Sequence, residues 1–356
     1  MQLNYNWNLK DTKFTKDKGK VFSLFACGGG STMGYKLAGF DVIGCNEIDK
    51  KMIEVYIANH NPKYAFLQPI QDFKNRNDLP EELYLLDILD SSPPCSSFSM
   101  AGAREEAWGK EKKFREGQAE QVLDTLFFDS IDLVKKLQPK VAIHENVKGL
   151  LLGNAKKYVS DIYQKLNEAG YYTKHFLLDA SKMGVPQRRE RVFFISVRKD
   201  IAKNILDYKI DFFEPQLKLQ MDFNERSIKF EEFYQPNVID RKVSNGKMKE
   251  YWLNRHKSDK NFADTILRVE NKHRCFNNYY LHKDEVPNTL TSNSDVFYLF
   301  DEYRKPNKYE ICCISTFPQD YNFLNNPYNY ITGMSVPPIM MARIAYEVYQ
   351  QILTKN

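Results

Sequence analysis

Long hydrophobic runs are missing from this sequence. No apolar stretch reaches the length needed to span a bilayer, so no membrane-crossing helix is expected. The start, Met1-Gln2-Leu3-Asn4-Tyr5-Asn6-Trp7, has no apolar core of the kind a secretory signal carries. The six cysteines, at 27, 45, 95, 275, 312 and 313, include no Cys-x-x-Cys pair, and the histidines do not gather near them. That spacing argues against a zinc site and against a disulfide framework. No metal is expected, and the chain reads as a reduced, cytoplasmic protein. Internal repeats and low-complexity tracts are also missing, which argues against solenoid and fibrous architectures. A strong charge of either sign is missing too: the net charge of +5 is a mild bias towards polyanions that decides little alone.

What is present is an ordinary globular composition, 42% hydrophobic and 27% charged over 356 residues, enough for one large or two ordinary domains. Aromatics are abundant at 14%. From Val21 to about Arg198, strand-like runs alternate with helix-like segments. Val21 to Ala26, Asp41 to Cys45, Leu83 to Leu89, Val141 to Ile143 and Val192 to Val197 read as strands. Met33 to Ala38, Lys50 to Asn59, Val122 to Leu137 and Ala155 to Ala169 read as helices, the last stopped by Gly170. This alternation predicts an α/β fold: a largely parallel, Rossmann-like sheet with helices on both faces. Residues 199 to about 300 are charged and aromatic with weak periodicity, and read as a smaller, irregular second domain. The expected organisation is a polar, loosely ordered N-terminal arm (1–20), an α/β domain (21–198), a smaller irregular domain and hinge (199–325), and a C-terminal helix returning to the first domain (326–356).

Four segments carry chemistry. Phe25-Ala26-Cys27-Gly28-Gly29-Gly30 follows the first strand and opens a helix, and glycines there let backbone approach a ligand closely. Glu47 ends the second strand, where a carboxylate can hold ribose hydroxyls. A plain strand-to-helix turn is the alternative. Ser91-Ser92-Pro93-Pro94-Cys95 follows a buried strand, and its two prolines stop that strand and fix a thiol at the sheet's edge, where open α/β sheets place their ligands. A lone cysteine is more often buried and inert. His144-Glu145-Asn146-Val147 arrives after the strand Val141 to Ile143, so that two strand ends could face one cleft. The alternative for Glu145 is a solvated charge. Gln187-Arg188-Arg189-Glu190-Arg191 precedes the last strand, either as a plain charged entry or as a source of fixed, always charged donor forks.

Pro93-Pro94-Cys95 resembles the nucleophile motif of the DNA cytosine-5 methyltransferases, and the other segments resemble the same family in the same order. The family has Phe-Ala-Gly-x-Gly-Gly where this chain has Cys27, and Gln where it has Ser96. Val286-Pro287-Asn288-Thr289-Leu290-Thr291 resembles the family's ninth motif. Gly333-Met334-Ser335-Val336-Pro337-Pro338 resembles its tenth, with Met334 in place of Asn. The resemblance spans about 21–198 and 286–353.

The resemblance implies an enzyme that transfers a methyl group from S-adenosylmethionine to C5 of a flipped-out cytosine in duplex DNA, within a restriction–modification setting. Cys95 would add to C6 of the ring and Glu145 would contact N3 and the exocyclic amine. Arg191 would contact O2, and Arg189 would support the loop or bind phosphate. Phe25, Cys27, Gly28, Gly29, Gly30, Glu47, Ile48, Asp72, Phe73, Pro93, Ser335 and Val336 would form the cofactor pocket. DNA contacts are expected from Ser99, Arg104, Gln187, Arg241, Lys242, Lys247, Lys249 and Arg255. The segment 101–118, rich in Gly, Lys and Arg, would close over the flipped base. For the basic stretch from Arg241 to Lys257 a solvated face remains the alternative. A monomer is expected, with a cognate restriction endonuclease as a functional rather than physical partner.

Three other readings stay open. A tRNA cytosine-5 methyltransferase would share the catalytic motifs. A degenerate DNA-binding relative would explain Cys27, Ser96 and Met334. A nicotinamide or flavin oxidoreductase would use the glycine turn but leave Cys95 and Glu145 unexplained.

Overall fold

Seven strands make the central sheet: β1 (Lys20–Leu24), β2 (Asp41–Glu47), β3 (Tyr64–Leu67), β4 (Ile88–Ser91), β5 (Val141–Val147), β6 (Tyr171–Asp179) and β7 (Glu190–Arg198). Their order across the sheet is β3-β2-β1-β4-β5-β7-β6. β1 to β5 run parallel, while β7 pairs antiparallel with both β5 and β6. The structure is a computed structural model that describes residues 1, 3–94, 111–112, 121–122, 125–153, 155–207, 216–238, 241, 243 and 245–355.

The chain divides into two units that are not continuous in sequence. One comprises Lys13–Asp179, Glu190–Asp222 and Met341–Asn356, and contains the sheet; the other comprises Met1–Thr12, Ala180–Arg189 and Phe223–Met340. In the sheet unit, the central strands are buried on both faces, which explains their continuous apolar runs. Helix α1 (Gly30–Leu37) follows β1, and α2 (Lys50–His60) follows β2. Asp49 caps α2 by accepting hydrogen bonds from the amides of Lys51 and Met52. α3 (Ile70–Asn75) follows β3. α4 (Leu126–Leu137) and α5 (Ala155–Glu168) bury Leu126, Ile131, Val134, Leu137, Ile162 and Leu166 in the same core as Phe22, Phe73 and Phe194. Gly170 sits after α5 in the left-handed region (φ 97°), where only glycine is unstrained. A two-strand pair, β8 (Leu206–Asp207) with β9 (Gln216–Leu217), completes this unit.

Several expectations are corrected. Leu83 to Leu89 is not one strand: Glu81–Leu85 is a 3-10 turn and β4 begins at Ile88. Leu83 and Leu86, three residues apart, are buried, while Tyr84 and Leu85 are exposed, so the run has a helical turn's periodicity. The helix expected from Val122 begins at Leu126, because Gln121–Val122 pairs with Glu111–Lys112 instead. β5 does not stop at Ile143 but carries Glu145 and Asn146 within its ladder against β7. The polar N-terminus is pinned rather than loose. In the second unit Trp7 Nε1 donates to the Thr316 carbonyl, and the amides of Leu9 and Lys10 donate to Asp320.

The second unit holds α6 (Lys247–Leu253), α7 (Phe262–Glu270), the parallel pair β10 (Tyr279–Leu281) and β11 (Phe297–Leu299), α8 (Lys308–Ser315), α9 (Tyr328–Met334) and the start of α10 (Pro338–Gln351). Phe230, Phe233, Leu281, Leu290, Phe297 and Ile311 share one of its cores, and Tyr251, Phe262, Ile266, Tyr280 and Tyr298 another. The fully buried Arg304 grips the equally buried Glu310 through two hydrogen bonds of 2.8 Å. This bidentate geometry offsets the cost of taking both charges out of water. Among the described residues no helix is long and apolar enough to cross a membrane.

Candidate active site

The turn after β1 is held in a strained shape. Phe25, Cys27 and Gly29 all have positive φ, at 54°, 46° and 83°. A Cβ on Gly29 would strike the His60 ring, so glycine is required there by both conformation and space. Cys27 adopts the same left-handed region with a side chain, a state that costs about 1–2 kcal/mol. Its amide donates to Glu47 Oε2 at 2.7 Å, while Ile48 and Asp49 amides donate to Oε1 at 2.8 and 2.9 Å. Glu47 thus ties the β1 turn to the β2 turn. Burial raises its pKa, and the three amide hydrogen bonds oppose that shift. A carboxylate offers about four acceptor positions, so three amides leave one open. Behind the turn, burial holds the His60 pKa well below its ordinary value, and the nearby Lys36 charge adds to the effect. Lys36 donates to the His60 carbonyl at 3.1 Å.

At the end of β4, Asp90 is buried. Its Oδ2 accepts from Ser23 Oγ at 2.6 Å and its Oδ1 from Tyr35 OH at 3.1 Å. Burial pushes its pKa up to about 7; the two hydrogen bonds oppose this, and the charge of Glu145 adds to it. Ser91 Oγ and Ser92 Oγ are buried without a hydrogen-bond partner among the described residues. Parallel pairing sets Ser91 beside His144, one residue before Glu145. Asn146 Nδ2 reaches the Pro93 carbonyl at 3.5 Å, while its Oδ1 accepts from the Val147 amide at 2.8 Å. Glu145 Oε1 lies 3.1 Å from Arg191 Nε on the neighbouring strand. The β5–β7 register, which pairs Val147 with Arg191, makes this contact. Burial lowers the Arg191 pKa and Glu145 counters it.

Glu145 and Arg191 are therefore brought together, and so are Cys27 and Glu47. Cys95, Ser99, Arg104, Lys242 and the segment 101–118, apart from the backbone of Glu111 and Lys112, lie outside the described residues. Ile48 is half-buried beside Glu47, and Asp72 is exposed in the first turn of α3. Phe73 sits in the core, stacked on Phe22 with ring centroids 5.7 Å apart.

The other candidates belong to the second unit. Gln187 is buried: its Nε2 donates to the Ile314 carbonyl at 3.1 Å and its Oε1 accepts the Leu290 amide at 3.0 Å. Arg189 is buried too, donating to the carbonyls of Leu290 at 2.8 Å and Gly333 at 3.1 Å. It thus clamps the segments resembling the ninth and tenth motifs. Ser335 and Val336 are buried, and Ser335 Oγ has no partner among the described residues. Arg241 pairs with Asp295 at 2.6 Å, Lys247 with Glu270 at 3.0 Å, and Lys249 donates to Asn245 at 2.7 Å. Arg255 stacks on Trp252, 3.4 Å from the ring centroid, and donates to the Phe300 carbonyl.

Sequence reasoning missed Asp90, His144 and Asn146 as shapers of the site. A charged residue closing an apolar strand run was the available signal for Asp90. For Asn146 it was membership of the Glu-Asn-Val triplet. Among the described residues no group of three or more His, Cys, Asp or Glu could hold a metal ion.

Solved methyltransferases share this fold. Spodoptera frugiperda DNMT2 matches with a TM-score of 0.62 at 18% identity, covering 93% of this chain and 99% of that one. The Entamoeba histolytica methyltransferase EhMeth matches with a TM-score of 0.57 at 14% identity, covering 93% and 98%. Residues 19–350 match the family model of the C-5 cytosine-specific DNA methylases, and the chain belongs to that family. It is 35% identical over 203 residues to the type II methyltransferase M.FnuDI of Fusobacterium nucleatum, covering 57% of this chain and 54% of that protein. It is 34% identical over 185 residues to M.NgoPII of Neisseria gonorrhoeae, covering 51% and 49%. The chain thus spans about half the length of these curated relatives. M1.HphI of Haemophilus parahaemolyticus aligns further, over 91% of this chain and 85% of that protein, at 26% identity.

Proposed function

We propose that this chain methylates C5 of a flipped-out cytosine in one short duplex DNA context, as the modification half of a restriction–modification pair. The carrying observation is the Glu145–Arg191 pair beside Asn146, whose amide holds the carbonyl of Pro93, two residues before Cys95. That arrangement supports a carboxylate and a thiol addressing one ring. Cytosine C5 is a weak nucleophile. Addition of the Cys95 thiolate to C6 makes C5 electron-rich, and Glu145 accepts from the exocyclic amine and stabilises the proton N3 gains. Arg191 holds the Glu145 carboxylate in place and offers its remaining donors to O2. Once C5 has taken the methyl group from the sulfonium donor, loss of the C5 proton and of the Cys95 thiolate releases 5-methylcytosine.

The residues present fit S-adenosylmethionine, which when bound supplies an electrophilic methyl group. Glu47 retains an acceptor position for a ribose hydroxyl, and Phe25 presents a half-buried ring beside the turn. The unpartnered hydroxyls of Ser91 and Ser92 are further candidate donors.

Bisulfite sequencing of host DNA expressing the chain tests this reading. Expected is 5-methylcytosine in one sequence context, lost in Cys95→Ala while duplex affinity is kept. A 5-fluorocytosine duplex should trap a covalent complex with the wild type only. Methylation of tRNA but not of duplex DNA, or methylation persisting in Cys95→Ala, would refute it.

A further inference from the structure

The loop that joins α7 to β10 has the chemistry of a nucleic-acid contact, although the sequence drew attention to a different stretch. Along Arg241 to Lys257, several cations have internal partners: Arg241 pairs with Asp295, and Arg255 is sandwiched between Trp252 and Phe300. From Asn271 to Asn277, by contrast, every residue except Cys275 is exposed. Phe276 is 56% exposed, a large apolar ring left in water. The His273 ring lies parallel to it within 9°, with centroids 6.4 Å apart.

Beside this ring, three cations share one carboxylate. Lys247, Lys272 and Arg274 lie 3.0, 3.5 and 2.7 Å from Glu270. One negative charge cannot balance three positive ones, so the cluster keeps an excess of positive charge at the surface. Arg274 also donates to Tyr251 OH, which in turn donates to Glu270 at 2.7 Å. The loop is pre-shaped. Asn271 closes α7 in the left-handed region and Cys275 repeats that conformation, at φ 53° and 62°. The Asn278 amide donates to the Cys275 carbonyl, and the Asn278 carbonyl accepts from the Phe262 amide. A loop fixed at both ends binds without a large ordering cost.

An exposed ring and a carboxamide, flanked by cations in excess, match duplex DNA. Phosphates take the charge, an Asn side chain reads base edges, and an aromatic ring stacks on or wedges between bases. We propose, resting on the function above, that this loop is a DNA-reading element. Phe276 and Asn277 meet the bases, and Lys247, Lys272 and Arg274 meet the backbone.

The test uses the full chain and the duplex context identified by bisulfite sequencing, with variants Phe276→Ala, Asn277→Ala and Lys272→Glu. All three sites are exposed, and unchanged thermal melting confirms the fold. Lys272→Glu should weaken binding to every duplex and flatten the salt dependence of log K by roughly one counterion. Phe276→Ala or Asn277→Ala should lower kcat/KM on the preferred context roughly tenfold or more, and narrow the gap to other contexts. Wild-type site preference together with a wild-type salt slope in all three variants would overturn the proposal while leaving the methyltransferase reading intact. If the wild type bound duplex without methylating it, the salt slopes would still decide. If it bound no duplex, both readings would fall.

Discussion

Arg191 Nε stands 3.1 Å from Glu145 Oε1 across two antiparallel strands, and both side chains are largely buried. Neither group has a comparable replacement partner from bulk water, so the pair stands or falls together. Arg191→Ala should destabilise the fold by about 3 kcal/mol, because a buried carboxylate is left uncompensated. Arg191→Lys should recover part of that loss but not the fork geometry. Glu145→Gln should lower the single-turnover methylation rate by roughly two orders of magnitude with a smaller stability loss. Urea melts and single-turnover assays read these separately; an Arg191→Ala variant as stable as wild type would remove the argument.

The turn after β1 allows a stabilising substitution next to a destabilising one. Cys27 is left-handed at φ 46° and contributes its backbone amide to Glu47. Cys27→Gly keeps that amide and relieves the strain, so stability should rise by about 1 kcal/mol. Gly29→Ala meets the His60 ring and adopts an unfavourable φ of 83°, so both stability and cofactor affinity should fall. Thermal melting with and without S-adenosylmethionine checks both, and equal melting temperatures for the two variants would contradict the expectation.

Asp90 sets an alkaline limit on stability. Its pKa is raised from 3.8 to about 7, so the neutral form is favoured in the folded chain. Its contribution is complete below the unfolded value and is lost as pH rises through the folded one. Tyr35 and the charge of Glu145 are the titrating groups that act on it. Asp90→Asn should therefore gain stability relative to wild type as pH rises from about 4 to about 8. Parallel stability curves for the two proteins would exclude this role.

His144 sets the acid limit. Its ring stacks on Phe127 at 4.8 Å, and neither ring nitrogen has a hydrogen-bond partner among the described residues. Burial lowers its pKa from 6.5 to about 3, so stability present above the ordinary value is lost as pH falls towards the folded one. His144→Phe should match or exceed wild-type stability at neutral pH, by up to about 1 kcal/mol, and lose less on acidification. A variant that unfolds at the wild-type pH would count against this account.

Much of the site was legible because its signals are local. The glycine turn, the acidic end of β2 and the Pro-Pro that stops β4 each depend on a few neighbouring residues. The stop of α5 at Gly170 is of the same kind. Illegible features involve partners far along the chain. Arg189 read as a loop support or phosphate ligand, but only folding reveals its clamp on Leu290 and Gly333. β6 escaped notice because an edge strand is half-buried and lacks a clean apolar period. The run from Leu83 misled because its composition matches a buried strand, while the 3-10 turn it forms buries Leu83 and leaves Tyr84 and Leu85 exposed.

By itself the sequence determined the fold class, the order of the chemical segments and the family, because periodicity, turn residues and short motifs act over a few positions. Tertiary structure alone decided which charges find partners, which cations stay at the surface and how two discontinuous units divide the chain. Those outcomes depend on strand register and on contacts between residues up to a hundred or more positions apart, which no local pattern encodes.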